Sequence, residues 1–413
     1  MNGGNTVTQA KGVTVTRRSI REYLAAQQTR YQCADRDGRS ALLDEIVAVT
    51  GYHRKAVIRH LRQSRLPRPG ARPVGRPRQY GPAVAAAATV LWEAAGQIGA
   101  KRLQPFVGEL LDRLRAWGEL RVPPPTVALL RQASVATLER LLISARRTRP
   151  RRGVSPTRPG SWLKAHIPIR TFAEWSDAAP GFLEVDLVAH CGPSGDGFFL
   201  YTLCAVDVAT GWVELQPVWG KGHYRVKAAL HEIRHRLPVP LRGLDTDNGG
   251  EFINRPLYYY CFREGITFTR SRAYRKNDSA HVEQKNGAVV RAWIGHDRYA
   301  SRAAYAQLAR VSGLLRAHVN FFQPVQRLVH KHRQGARVRR IYDRAQTPYQ
   351  RLVASGALTP AVRDQLAAEY AALNPLRLRR DLDATLTALW HLTSPVPTPV
   401  TAGHRLRAAA LSR

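Results

Sequence analysis

The sequence predicts a multidomain protein. It combines an all-α N-terminal helix-turn-helix region, an α/β core with a mixed five-stranded sheet and a small C-terminal extension. Apolar residues recur at helical spacing up to residue 146 and at strand spacing from about residue 176. That switch of period separates a helical region from one that builds a sheet. Against 30 acidic residues stand 64 basic ones, a net charge of +34, and such a balance calls for an anionic partner, nucleic acid first. The 413 residues are enough for about two to three domains.

The composition also excludes several classes. Apolar residues make up 44% of the chain, enough for a sizeable core. The longest apolar run, Ala83 to Trp92, falls far short of the roughly 20 residues that span a bilayer, so no membrane is expected. The first residues, MNGGNTVTQAKG, contain no apolar segment of a secretory signal. Cys33, Cys191, Cys204 and Cys261 are widely spaced, with no CxxC pair. This pattern fits a reducing cytosol rather than a disulfide framework.

Residues 1–66 are expected to form a helix-turn-helix DNA-binding domain. Helices are expected at 17–28, 40–49 and 53–63, the last two separated by Thr50-Gly51-Tyr52. Helix, tight glycine turn and basic helix is the plan that lays its second helix in a DNA groove. His53, Arg54, Lys55 and Arg59 are the candidate DNA contacts there. Residues 67–80 read as a basic linker in which Arg76 and Arg78 resemble a minor-groove hook. Residues 81–146 are expected as a second helical DNA-binding domain, with Lys101 and Arg102 after the turn at Gly96 to Gly99. Residues 147–175 read as a second basic, extended linker.

The catalytic core is expected at 176–322. Strands at 182–189, 198–208 and 212–219 form a meander. A helix at 223–236, a strand at 241–247, a helix at 253–264 and a strand at 266–270 follow. Helices at 279–294 and 302–322 complete the order βββαβαβαα. Residues 323–413 form the extension, with a small β element at 331–342, helix over much of 360–389 and a disordered tail from 394.

Acids are scarce, so their positions carry information. Asp186 lies inside an apolar strand, where a charge is costly unless it is paired or bound to metal. Glu184 shares its face by the period of two. Asp247 ends the fourth strand of the core before Gly249-Gly250, which let the chain turn away. Glu283 lies on the helix after Asn277-Asp278-Ser279. The first and fourth strands are neighbours in ribonuclease H-like sheets, so the three acids are expected to meet. Converging carboxylates suit hard divalent ions that activate and stabilise oxygens at phosphorus.

Three segments resemble the DDE transposases of bacterial insertion sequences, whose core is related to retroviral integrases. They are Glu184-Val185-Asp186-Leu187-Val188-Ala189-His190-Cys191-Gly192, Asp245-Thr246-Asp247-Asn248-Gly249-Gly250-Glu251-Phe252 and Tyr274-Arg275-Lys276-Asn277-Asp278-Ser279-Ala280-His281-Val282-Glu283-Gln284-Lys285-Asn286. The 35 residues between Asp247 and Glu283 match the spacing of that family. The resemblance covers about residues 180–295. It implies a ribonuclease H-like core with Asp186, Asp247 and Glu283 as catalytic and metal-binding residues, holding Mg2+ or Mn2+, two ions. It also implies double-stranded DNA as partner, both terminal inverted repeats and target, and an assembly of at least two copies in the bacterial cytoplasm near the nucleoid. The position seven residues past the Glu, often Lys or Arg in the family, is Val290 here.

Arg275, Lys276, Asn277 and Lys285 flank the acids and are candidate contacts to the scissile DNA. Asp207 reads as the start of a turn and His190 as a structural residue. Two other functions fit parts of the pattern. One is a DNA-binding regulator with an inactive core, and the other is a ribonuclease H-like nuclease that cuts without joining.

Overall fold

The computed structural model describes residues 6–10, 13–62, 79–146, 179–247, 249–270, 280–335 and 337–396. Two compact units are present, one up to Arg78 and one from Gln79 onward.

The first unit opens with a short antiparallel pair, β1 (Thr6–Ala10) and β2 (Val13–Thr16). Four helices follow: α1 (Arg17–Ala26), α2 (Gln28–Cys33), α3 (Arg36–Thr50) and α4 (Arg54–Arg62). The Asp35 side chain caps α3 by accepting the Gly38 N–H at 2.9 Å. Gly51 ends that helix at φ 67°, a left-handed conformation that glycine adopts without strain. Ile20, Leu24, Tyr31, Leu42, Leu43, Ile46, Val57 and Leu61 close one small core between the helices. Helices α3 and α4 correspond to those expected at 40–49 and 53–63.

The second unit begins with helices α5 (Pro82–Ala94), α6 (Ala100–Leu103), a 3-10 turn Gln104–Phe106, α7 (Val107–Ala116), α8 (Pro124–Gln132), α9 (Val135–Leu141) and α10 (Ile143–Arg146). The sheet follows as β3 (Phe182–His190), β4 (Leu200–Asp207), β5 (Val213–Val218), β6 (Gly243–Thr246) and β7 (Thr267–Arg270). Its helices are α11 (His223–Arg236), α12 (Arg255–Arg263), α13 (Ala280–Lys285), a π-helical segment Asn286–Arg291, α14 (Ala292–Ile294) and α15 (Arg302–Phe322). A hairpin of β8 (Leu328–Gln334) and β9 (Arg337–Tyr342) precedes α16 (Pro348–Ala354), α17 (Pro360–Ala372) and α18 (Pro375–Trp390).

The strands lie in the order β5-β4-β3-β6-β7. β3, β4 and β5 are antiparallel neighbours, while β6 is parallel to β3 and β7 to β6. The mixed five-stranded sheet is therefore as expected, with its first and fourth strands adjacent. Alternation along β3 sends Leu183, Val185, Leu187 and Ala189 to the layer of α11 and α12. Val188 faces the opposite layer, with Val282, Val289, Val290 and Ile294 before α15 and with Leu308, Val311 and Leu315 on it. Asp207 does start a turn. Its carboxylate accepts the Gly181 N–H at 2.7 Å and the Thr210 N–H at 2.8 Å. His190 is fully buried and pairs with Thr202 Oγ1 at 2.8 Å.

The expected boundaries differ from the structure at 81–146 and at 323. Leu91, Leu103, Leu110, Leu114 and Leu130 share one hydrophobic core with Phe321, Phe322, Leu352, Leu366 and Leu376. Leu382, Leu386 and Leu389 of α18 enter the layer of α15. Residues 81–146 and the extension up to residue 396 therefore pack onto the sheet region as parts of one unit. A piece cut at 176–322 would expose Trp212, Phe321 and Phe322. Residues 397–413, most of the expected disordered tail, lie outside the described residues, as do most of the two expected linkers.

Candidate active site

The β3–β6 ladder pairs Glu184 with Asp245 and Val185 with Thr246. Asp186 is the next residue of β3, and Asp247 is the first residue past the end of β6. Neighbouring strands run about 4.8 Å apart, and residues paired in register share a face. The two aspartates thus stand side by side at the end of the ladder, on the face toward α13. Burial, then the nearby carboxylates of Asp247, Glu251 and Glu283, push the Asp186 carboxyl up to about 7. Asp247 is also raised, by burial. Such shifts mark a place where negative charge is crowded and poorly solvated.

Several bonds hold the acids in place. Asp186 Oδ1 accepts its neighbour's Leu187 N–H at 2.7 Å, and Oδ2 accepts Asn286 Nδ2 at 2.6 Å. Asp247 Oδ1 accepts the Gly249 N–H at 2.9 Å. A Cβ on Gly249 would lie 2.7 Å from Glu251 Cδ and 2.9 Å from Asp247 Oδ1. The glycine thus lets two carboxylates close around the turn. Glu283 is the exposed member, in the first turn of α13. Among the described residues no three His, Cys, Asp or Glu side chains form a closed metal cluster.

The two competing acids have other work. Glu184 is fully buried, and its Oε2 accepts the Val282 N–H at 3.0 Å, bonding the start of α13. Asp245 is buried and accepts Thr269 Oγ1 at 2.5 Å.

The expected DNA contacts are scattered. His53, Lys55 and Arg59 are exposed around α4. Arg54 is paired with Asp44 of α3 and donates to Ser40 Oγ at 2.8 Å. Lys101 is exposed, whereas Arg102 is half-buried, and burial lowers the pKa of its guanidinium. Lys285 is buried, 8% exposed, and burial pushes its ammonium down to about 8. Arg76, Arg78, Arg275, Lys276 and Asn277 lie outside the described residues.

Glu251, Asn286 and Arg291 are the residues of the site that sequence reasoning did not single out as functional. Glu251 was legible only as one more acid four positions past Asp247. Asn286 lies three past Glu283, one helical turn along the same face. Arg291 donates to the Ala189 carbonyl at 2.7 Å near the end of β3, while Val290 is fully buried. The segment Asn286–Arg291 is π-helical. It adds a residue to the turn, as π-bulges at functional sites do. On α11, His231-Glu232-Ile233-Arg234-His235 spells a zinc-type motif. Its two histidine Nε2 atoms are 3.0 Å apart on an exposed surface, with no third ligand among the described residues.

No model of a known protein family matches the chain. It is 43% identical over 323 residues to the uncharacterized protein y4rM of Sinorhizobium fredii, covering 78% of this chain and 91% of that one. It is also 31% identical over 111 residues to the Gag-Pol polyprotein of avian reticuloendotheliosis virus, 26% of this chain and 9% of that one. Among solved structures, the catalytic core domain of BIV integrase aligns at a TM-score of 0.29 and 19% identity, covering 43% of this chain and 95% of that one. The HTLV-2 integrase catalytic core domain in complex with magnesium aligns at a TM-score of 0.27 and 16% identity, covering 36% and 91%.

Proposed function

The chain belongs to the family of the Sinorhizobium fredii protein y4rM, and from the acidic pocket we propose that it is a DDE-type transposase, a metal-dependent DNA strand transferase. The observation that carries this reading is Asp186 on β3 beside Asp247 just past the parallel strand β6, with Asp247, Glu251 and Glu283 all close enough to raise Asp186. The integrase-like spacing of the three acids supports the same reading.

The donor set fits Mg2+ or Mn2+. It is made of carboxylate oxygens, and burial followed by the negative charge of its neighbours raises the Asp186 carboxyl to about 7, a charge crowding that a cation would offset. Asp186, Asp247 and Glu283 would hold the metal, two ions by the chemistry of the reaction. Bound there, divalent ions supply charge stabilisation for oxygens entering and leaving phosphorus. The protein's own residues hold the pocket. Glu184 and Asn286 fasten the Glu283 helix to β3, and Arg291 braces the strand end. The exposed His53, Lys55 and Arg59 of the helix-turn-helix bind the terminal inverted repeats, and Lys101 lies against flanking phosphates. The active form has at least two copies on DNA, since two ends must be joined, and works in the bacterial cytoplasm.

The test starts from the DNA flanking the coding sequence. Inverted repeats there supply the substrate. The full chain should bind a labelled repeat in preference to random duplex and nick it at the repeat end only with Mg2+ or Mn2+. Nicking that persists in chelator, or equal binding to random DNA, would overturn the reading.

A further inference from the structure

We propose that the β8–β9 ribbon is a DNA-binding arm, separate from the acidic pocket and from the helix-turn-helix. The ribbon spans Leu328–Gln334 and Arg337–Tyr342 and has no acidic residue. Every residue of β9 is exposed. Val329 is 53% exposed, Val338 41%, Ile341 41% and Tyr342 49%. A two-stranded hairpin that buries neither face is marginal in water. Exposed apolar residues on both faces of a ribbon that makes no core mark a surface that meets a partner.

The base of the ribbon is tied down firmly. Val325 and Gln346 form an isolated bridge. Asp343 accepts the Arg327 N–H and the Arg351 guanidinium, each at 2.7 Å. Arg327 donates in turn to the Val208 carbonyl at 3.0 Å, next to the β4–β5 turn. The arm is therefore held at its root by the sheet region and by α16, while its length makes no core.

Charge selects the partner. Register sets His332 opposite Arg339, Gln334 opposite Arg337 and His330 opposite Ile341, so these residues share one face. Arg333 lies opposite Val338 on the other face. That face carries donors at His330, His332, Gln334, Arg337 and Arg339 beside Ile341, and both faces carry guanidinium groups without a carboxylate. A ribbon of two strands fits the major groove, which is about 12 Å wide. Arginines along its edges reach the phosphates on either side. The occupant that matches is double-stranded DNA.

This inference rests on DNA being the partner of the chain, and the test separates the two claims. The full-length protein and a variant with Arg333, Arg337, Arg339 and Arg340 all changed to Ala are compared in chelator, so that the pocket takes no part. Affinity for a short duplex is followed from about 50 to 200 mM salt. Each lost phosphate contact lowers the slope of log K against log salt by about 0.9. The variant should lose about two to four in slope and bind at least tenfold more weakly at the lower salt. Wild type that binds no DNA would defeat the proposed function itself. A variant with the slope and affinity of wild type would overturn the arm alone. So would one that changes only the oligomeric state, since the ribbon would then join copies of the chain. Hydrogen exchange on the wild type guards against a misfolded variant: DNA should protect the backbone amides of 328–342, and unchanged exchange there overturns the proposal.

Discussion

Asn286 donates its side-chain amide to Asp186 Oδ2 at 2.6 Å, across 100 residues of sequence. That one bond joins the first strand of the sheet to the helix that carries Glu283. Its partner bond, from the Val282 N–H to Glu184, is made one turn earlier. Together they set where the third acid stands relative to the first. Replacing Asn286 with Ala removes a hydrogen bond to a carboxylate, a loss of about 1.5–3 kcal/mol. Asn286→Ala should lower the melting temperature and reduce strand joining by at least tenfold, and Asn286→Asp should do no better. Joining at the wild-type rate by the alanine variant would show that Glu283 is placed by other contacts.

Asp245 on β6 and Asp247 just past its end should separate cleanly. Asp245 is buried against Thr269, whereas Asp247 follows the ladder into the pocket. Asp245→Asn should lose thermal stability and keep strand transfer. Asp247→Asn should fold normally, bind DNA and lose cleavage and joining. A stable, inactive Asp245→Asn would reverse the assignment.

The sheet and most of its helices were legible because a single period governs each. The helices expected at 223–236 and 302–322 match His223–Arg236 and Arg302–Phe322 to the residue. The adjacency of the strands leading to Asp186 and Asp247 was expected only by likeness to ribonuclease H-like sheets, since the order of elements along the chain does not say which strands pair. Association of 81–146 with the extension was not legible. The apolar faces of α7 and α17 show their own periods, but nothing local says that Leu110 and Leu366 share a core. The role of Glu184 was hidden for a related reason. A carboxylate that accepts a helix N–H from 98 residues away looks, in sequence, like a second metal ligand.

The pocket should leave a pH signature in metal-free buffer. Burial and the neighbouring carboxylates hold Asp186 up to about 7, above the usual value near 4. The folded chain then keeps a proton that the unfolded chain has released, so ionising Asp186 opposes folding. Its destabilising effect is absent below about pH 4 and grows as the pH rises toward about 7. Melting curves of wild type and Asp186→Asn, compared from pH 4 to 8, should show the variant gaining on wild type across that window. A constant difference would mean that Asp186 is ionised throughout.

Metal should act on the same charges. Mn2+ or Mg2+ binding only the native state would stabilise it by about 2.7 kcal/mol at a hundredfold excess over Kd. The full chain is the right material, because Phe321 and Phe322 need the helices of 81–146. Its melting temperature should rise with either ion, and that of Asp247→Asn should rise far less. An equal rise in both would place the ions elsewhere.

Joining of pre-cleaved repeat ends to a target duplex, in Mg2+, tests the central claim most directly. Wild type should covalently link the 3′ end of the repeat to target DNA. Asp186→Asn should bind the same ends and form no linked product. Wild type that binds the ends yet never links them, or an Asp186→Asn variant that links them as well as wild type, would contradict the account.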